Sequence, residues 1–301
     1  MRHVPVLAKE TLSFLTPAMQ VLFDGTLGHA GHTQLMLKHY AEQWKKIRMI
    51  CTDRDEKMIA KARAFLGDLD EQVEIVQWSY ADRDVIHMQT DIEKVDFMLL
   101  DLGVNMDHFK VAERWFSIKM DGALDMRYDT STGQSASQRL QTATFQEIKD
   151  ALTDRTDFSS RFVDRIVEQL LVDRRKRQRK TTQELVSRGN TQWMNDKTLA
   201  IFFQAIRIAV NHELEELQNF LQCFPKWLNT WGRCVVITYH SGEDRLVKQA
   251  FKWLEEQHIW TILTKHVITP TWHEIQQNKA ARSAKLRAFE LLSLPDSSQY
   301  E

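Results

Sequence analysis

The chain has 301 residues, 43% of them apolar and 27% charged, with a formal net charge of −1. This composition excludes a disordered or fibrous chain. Near-neutrality excludes attachment to nucleic acid by bulk charge, though not by a local basic patch.

The three cysteines, Cys51, Cys223 and Cys234, are far apart and form no CxxC pair. That spacing fits free thiols in a reducing compartment and neither a disulfide framework nor a zinc ribbon. The opening MRHVPVLAKETLSFL is interrupted by Lys9 and Glu10 and lacks a signal-peptide core. No apolar run approaches the roughly 20 residues that span a bilayer. A cytoplasmic protein without membrane attachment is expected.

Four apolar runs in the first hundred residues read as strands: QVLFD (20–24), RMICTD (48–53), VEIVQW (73–78) and VDFMLLD (95–101). Between the second and third, Met58, Ile59, Ala62, Phe65 and Leu66 recur at helical spacing, and Asp55 is placed to cap that helix. Alternating strands and helices imply a parallel sheet covered on both faces. Three of the strands end in aspartate, Asp24, Asp53 and Asp101, at the carboxyl edge where open α/β sheets bind ligands.

From about residue 107 to residue 196 strand signals fade and helical stretches take over, among them SRFVDRIVEQLL and a helix opened by Thr181 and Glu184 at capping-box spacing. This block is expected to be a helical domain (107–196) inserted into a discontinuous sheet domain (1–106 and 197–301). The α/β pattern resumes with a predicted helix from Leu199 to Leu221. A strand follows at RCVVITY (233–239), and TKHVITP and SAKLRAFEL are expected to close the sheet as two more.

The stretch DGTLGHAGH (24–32) joins the first strand to a helix, and its Gly25, Gly28 and Gly31 recur every third residue. Glycine serves where backbone turns tightly or approaches a ligand closely. The spacing is GxxGxxG, not the GxGxxG of dinucleotide folds. The carboxylate of Asp24 would repel a pyrophosphate and suits a cationic ligand such as S-adenosylmethionine, which carries a sulfonium and an ammonium. A nicotinamide-dependent dehydrogenase is disfavoured on the same grounds.

Asp53 is placed to bind ribose hydroxyls, and Tyr80 either packs on an adenine ring or belongs to the core. His29 and His32 lack nearby partner ligands, so no metal is expected. The run RRKRQRK (174–180) is either a solvated helix face or a phosphate track. Gln204, Arg207 and Asn211 share one stripe of the long helix, and HSGEDR (240–245) follows a strand. Both read as cleft-facing or surface features.

Eight segments in order carry a closer resemblance: HVPVL (3–7), DGTLGHAGH, DRD (53–55), LLDLGV (99–104), FS with DGALDMRYD (116–129), FQAIRIAVNHEL (203–214), HSGEDRLVK (240–248) and RSAKLRAFE (282–290). Through them the chain resembles, nearly end to end, the bacterial 16S rRNA cytosine-N4 methyltransferases, the RsmH or MraW family. The resemblance implies a class I S-adenosylmethionine-dependent methyltransferase fold, an α/β Rossmann-like sheet domain with an inserted helical domain for substrate recognition. It implies S-adenosylmethionine as donor, the N4 amine of the decoding-centre cytidine at position 1402 of standard rRNA numbering as acceptor, and the small ribosomal subunit as partner. The oligomeric state stays open, a dimer included.

Carried over by position, the cofactor contacts are Ala30, Gly31, His32, Asp53, Tyr80, Asp101 and His108, to which the loop reading adds Asp24 and Gly28. Asp101 positions the acceptor amine with Asn105 beside it, or binds the cofactor alone. Arg174, Arg175 and Arg177 would contact phosphate, and Arg207, Asn211, His240 and Ser241 would line the acceptor cleft, into which the base is splayed.

The chain departs from the family pattern at Ala30 (usually glycine), at NM in DLGVNM (usually SS) and at His108 (usually glutamine). It departs again at ERWFS (RGFSF), at NDKT (HPAT) and at YHSGED (FHSLED). These departures motivate an alternative reading, an rRNA-binding assembly factor of the same fold with altered catalysis.

Overall fold

A computed structural model describes residues 4–103, 121–156, 158–174, 180–187, 194–258 and 260–292. The chain divides into two compact units, residues 1–103 with 215–301, and residues 104–214.

The first unit is built on seven strands: β1 (Val21–Asp24), β2 (Arg48–Thr52), β3 (Val73–Val76), β4 (Val95–Asp101), β5 (Leu228–Thr238), β6 (Trp260–Ile262) and β7 (Lys285–Leu291). Their order is β3-β2-β1-β4-β5-β7-β6; β1 to β5 run parallel, and β7 is antiparallel to both its neighbours. This is the expected class I methyltransferase sheet. Along β1 and β4 successive residues alternate between two cores, as the pleat requires. Leu22, Phe97 and Leu99 enter one core, whereas Phe23, Met98 and Leu100 enter the other. Two covered faces explain the uninterrupted apolar runs of these strands.

The helix α1 (Ala8–Leu12) precedes β1, α2 (Gly31–Ala41) links β1 to β2, α3 (Glu56–Leu66) links β2 to β3, and α4 (Arg83–Thr90) links β3 to β4. Asp55 caps α3 as expected, its side chain accepting from the amides of Lys57 and Met58. The strand order reverses between β1 and β4, where Asp24 lies beside Leu99. Crossovers depart to opposite sides of such a switch point and leave a crevice at the carboxyl edge.

The second unit holds α5 (Ala136–Thr142), α6 (Phe145–Arg155), α7 (Ser160–Arg174), α8 (Thr182–Ser187) and α9 (Asp196–Asn211) around its own apolar core. That core includes Ile148, Leu152, Val163, Ile166, Val167, Leu170, Phe202, Ala205 and Ile206. Packing therefore groups α9 with the inserted unit, although its sequence pattern placed it with the sheet.

Two further expectations are corrected. The single helix over 199–221 is two, α9 and α10 (Glu213–Cys223), because His212 takes the left-handed conformation with φ 54°. TKHVITP is not a strand. On the edge of β7 away from β5, β6 pairs with Phe289–Leu291, and Ile268 makes only an isolated bridge to Leu286.

Arg207 and Asn211 do not line an open cleft. Arg207 is 6% exposed and forms a two-pronged pair with Glu213, its Nε and Nη2 each 2.8 Å from a carboxylate oxygen. Tyr128 adds its hydroxyl to the same carboxylate at 3.0 Å. Asn211 is 2% exposed; it accepts from the Tyr128 amide at 2.8 Å and donates to the carbonyls of Met126 at 2.7 Å and Arg207 at 2.9 Å. Met126 is held at φ 64°, a conformation that a side-chain-bearing residue keeps only when its surroundings impose it. The polar stripe of α9 thus fastens the DGALDMRYD segment by enclosed hydrogen bonds. A buried guanidinium and amide are tolerable only with such partners.

Asn211→Ala is expected to destabilise the inserted unit by about 2–3 kcal/mol, because it strands the Met126 carbonyl and the Tyr128 amide. Denaturant unfolding checks this. A change under about 0.5 kcal/mol would return Asn211 to the category of a surface residue.

Candidate functional site

The site grows from the turn after β1. Gly28 needs its left-handed backbone, with φ 51°. Gly25 is needed for contact within the protein: a Cβ there would stand 2.4 Å from Leu100 Cδ2 and 2.8 Å from Tyr80 Cβ. At Gly31 a Cβ would meet Pro5 Cγ at 2.7 Å. Ala30, fully buried, takes φ 59° at the N-cap of α2, where a glycine would carry no strain.

Asp24 is 1% exposed and turned into the loop. Its Oδ1 accepts from the Thr26 amide at 3.1 Å, and its Oδ2 accepts from the Thr33 hydroxyl at 2.7 Å. Burial pushes its carboxyl above the usual range, against the opposing pull of Thr33, His32 and Thr26. The expected contact between Asp24 and a cationic ligand is corrected accordingly: this side chain shapes the turn from beneath.

Asp53 lies just past β2. Its Oδ2 accepts from the Gly28 amide and its Oδ1 from the Asp55 amide, both at 2.9 Å. Tyr80 is half-buried and meets Phe220 edge-on at 5.6 Å. Arg54 and Ser79 both bind Glu216, at 2.7 and 2.9 Å, which ties the ends of β2 and β3 to α10.

Asp101 ends β4. Its amide donates to the Thr26 hydroxyl at 2.7 Å, and its Oδ1 accepts from the Tyr239 hydroxyl at 2.7 Å. Its Oδ2 stands 3.5 Å from Nε2 of His32, which is 7% exposed and without a hydrogen-bond partner of normal geometry at that nitrogen. The carbonyl of Val6 accepts from the His32 ring. A protonated ring pairs its Nε2–H with that carboxylate, whereas a neutral ring protonated only on Nδ1 would turn an Nε2 lone pair toward it.

Two acceptors facing across a buried gap are satisfied by a proton on the ring or by a third group that donates to both. Burial alone would lower the His32 pKa. Asp101, then Asp24 and the Val6 carbonyl, outweigh it and raise the value above the ordinary one. Sequence reasoning named His32 and Asp101 but missed Tyr239 and the Val6 strap. The motifs YHSGED and HVPVL were the available signals.

His240 caps the helix α11 (Ser241–Glu256): its Nδ1 accepts from the Glu243 amide at 3.3 Å, and Nε2 lies 3.1 Å from Glu243 Oε1. Ser241 is exposed at the start of that helix. Asp244 in the next turn holds Lys285 and Arg287 of β7, and those two cations keep its carboxyl below the ordinary range despite partial burial. Asn105, His108, Arg175 and Arg177, with the side chain of Arg174, lie outside the described residues. Among the described residues no three metal-ligating side chains converge, and no helix is long and apolar enough to cross a membrane.

The chain matches the MraW methylase family over residues 1–292. It is 36% identical over 297 residues to the ribosomal RNA small subunit methyltransferase H of Kosmotoga olearia, which covers 96% of this chain and 97% of that one. It is 35% identical to the protein of the same name from a Cyanothece species, over 96% and 95% of the two chains. The Thermotoga neapolitana protein of that name is 32% identical, over 96% of each. Since the likeness runs through the inserted unit as well as the sheet, the chain belongs to the MraW methylase family.

Proposed function

We propose that this protein is an S-adenosylmethionine-dependent methyltransferase acting on the exocyclic N4 amine of a decoding-centre cytidine in small-subunit 16S rRNA. One observation carries the cofactor half of this reading: the long 3.5 Å approach of His32 Nε2 to Asp101 Oδ2 at the sheet's switch point. The names of the relatives, ribosomal RNA small subunit methyltransferase H, support the substrate half.

The residues present fit the cofactor. Asp101 and His32 are the acceptors for an ammonium group, Asp53 is the carboxylate placed just past β2 for ribose hydroxyls, and Tyr80 offers a ring at the end of β3. Asp24 and Gly28 hold the shape of the turn, and the backbone of Ala30 and Gly31 opens α2 beside it. His108 is a further cofactor contact on the family resemblance alone. When bound, S-adenosylmethionine supplies an electrophilic methyl group on a sulfonium centre.

The chain's own task is orientation, since in-line transfer depends on holding the amine at near-attack distance. Cytosine N4 is a weak nucleophile because its lone pair is delocalised into the ring. An acceptor for its N–H localises that pair, a role we assign to Asn105, while the pairing with His32 commits Asp101 to the cofactor. The exposed Ser241 and the neighbouring His240 stand at the carboxyl end of β5, where the flipped base would enter. Arg174, Arg175 and Arg177 track phosphate.

Methyl transfer to isolated small subunits, followed by mapping of the modified nucleotide, tests the whole reading. N4-methylcytidine at the decoding centre is expected. Cofactor and subunit binding without transfer would instead show an assembly factor of the same fold.

The titrating group in the cofactor site is His32, faced by Asp101 and Asp24. Because its pKa is raised, the ring keeps its proton to higher pH than an ordinary imidazole and must release it to admit an ammonium. Cofactor affinity is therefore expected to rise with pH, by up to about tenfold per unit, until His32 is neutral. Calorimetry in buffers of different ionisation enthalpy reads the released proton. His32→Gln should abolish both the release and the pH slope.

Replacing Arg174, Arg175 and Arg177 with alanine should weaken RNA binding and reduce the slope of log affinity against log salt by about 2–3. An unchanged slope would leave the run a solvated face.

A further inference from the structure

The hydroxyl of Tyr239 is not needed by the fold around it. Tyr239 directly follows β5, and its ring is seated against Gly103: a Cβ at 103 would stand 2.9 Å from Tyr239 Cδ2 and 3.3 Å from Cε2. Gly103 itself adopts φ 118°, so glycine is required there on two counts. The Tyr239 backbone is fixed independently. Its amide and that of His240 both donate to Glu243 Oε2, at 2.8 and 3.3 Å, and Glu243 is itself buried. A phenylalanine would keep every one of these contacts. What it would lose is the 2.7 Å hydrogen bond to Asp101 Oδ1.

That bond decides which way the Asp101 carboxylate faces. Asp101 and Ile237 are register partners on adjacent parallel strands, so the side chain two residues beyond Ile237 reaches the end of β4. A carboxylate turns readily about its last torsion, which is broad and two-fold. With Oδ1 engaged by Tyr239, Oδ2 is the oxygen left facing His32. Burial, with Asp101 and Glu243 nearby, holds the phenol far above its usual pKa, so the hydroxyl stays a donor throughout the working pH range.

We propose that Tyr239 is a positioning residue for the cofactor's amino-acid end, acting through Asp101 by holding one carboxylate oxygen so that the other is presented beside His32. This inference rests on the reading that Asp101 receives the ammonium group. It adds a residue from the far side of the inserted unit in sequence, 138 positions from its partner.

The experiment uses the full chain and Tyr239→Phe, titrated with S-adenosylmethionine and with methylthioadenosine, which shares the nucleoside and lacks the amino-acid end. The variant is expected to bind S-adenosylmethionine about tenfold more weakly, the size of a lost hydrogen bond to a charged group. Methylthioadenosine should bind both proteins alike. The KM for the cofactor should rise by the same factor, while kcat at saturating cofactor changes less than threefold. In an Asp101→Ala background, Tyr239→Phe should cost nothing further, as a double-mutant cycle requires of a residue acting through its partner.

Equal losses for both ligands, or a full further loss in the Asp101→Ala background, would make Tyr239 a structural residue and overturn the proposal. So would unchanged affinity for S-adenosylmethionine. If the unaltered protein binds methylthioadenosine and S-adenosylmethionine with no difference attributable to Asp101, the reading of Asp101 fails first and takes this inference with it.

Discussion

The site depends on one carboxylate held at the reversal of a parallel sheet. Asp101 stands where the strand order changes direction, and two strand ends and a helix turn fix it. The turn after β1 supplies the Thr26 hydroxyl for its amide, and the residue after β5 supplies the Tyr239 hydroxyl for Oδ1. The first turn of α2 sets His32 opposite Oδ2. Removing a carboxylate from water is costly unless donors replace the lost hydration. Here the donors are supplied unevenly: Oδ1 is hydrogen-bonded at 2.7 Å, and Oδ2 faces the His32 ring at the longer distance of 3.5 Å.

The inserted unit shows the opposite condition. Arg207, Glu213, Tyr128 and Asn211 are as buried and as polar as the groups around Asp101, yet their donors and acceptors meet one another at 2.7–3.0 Å. A satisfied polar network rigidifies a segment, in this case the DGALDMRYD stretch with its left-handed Met126. Polarity and burial by themselves do not separate framework from function.

The glycine turn illustrates how close packing within the protein and ligand binding share the same residues. Gly25 and Gly31 admit Leu100, Tyr80 and Pro5, not a ligand, at distances that no side chain would allow. This tight closure enables the N-terminal strap to reach the His32 ring through the Val6 carbonyl and to lock onto Glu274 through the Leu7 amide at 2.7 Å. The site's proton chemistry thus depends on residues that touch no ligand.

Much of this protein was legible in its sequence. The first four strands and their terminal aspartates could be read directly, because a strand buried on both faces must be a continuous apolar run that stops where the chain returns to water. The Asp55 cap, the cofactor-type turn and the order of the family motifs are likewise local patterns, and local patterns survive without coordinates. Tertiary structure decided what periodicity cannot express. A helical repeat placed Arg207 and Asn211 on one stripe but not what packs against it, so a buried clamp looked like a cleft. His212 breaks a helix with neither glycine nor proline to announce it. TKHVITP has the composition of a strand, but it meets β7 only through a single bridge from Ile268 to Leu286. The Asp101–Tyr239 bond joins residues that only the pairing of β4 with β5 brings together, since a hydrogen bond depends on distance in space and carries no mark in either residue's neighbours along the chain.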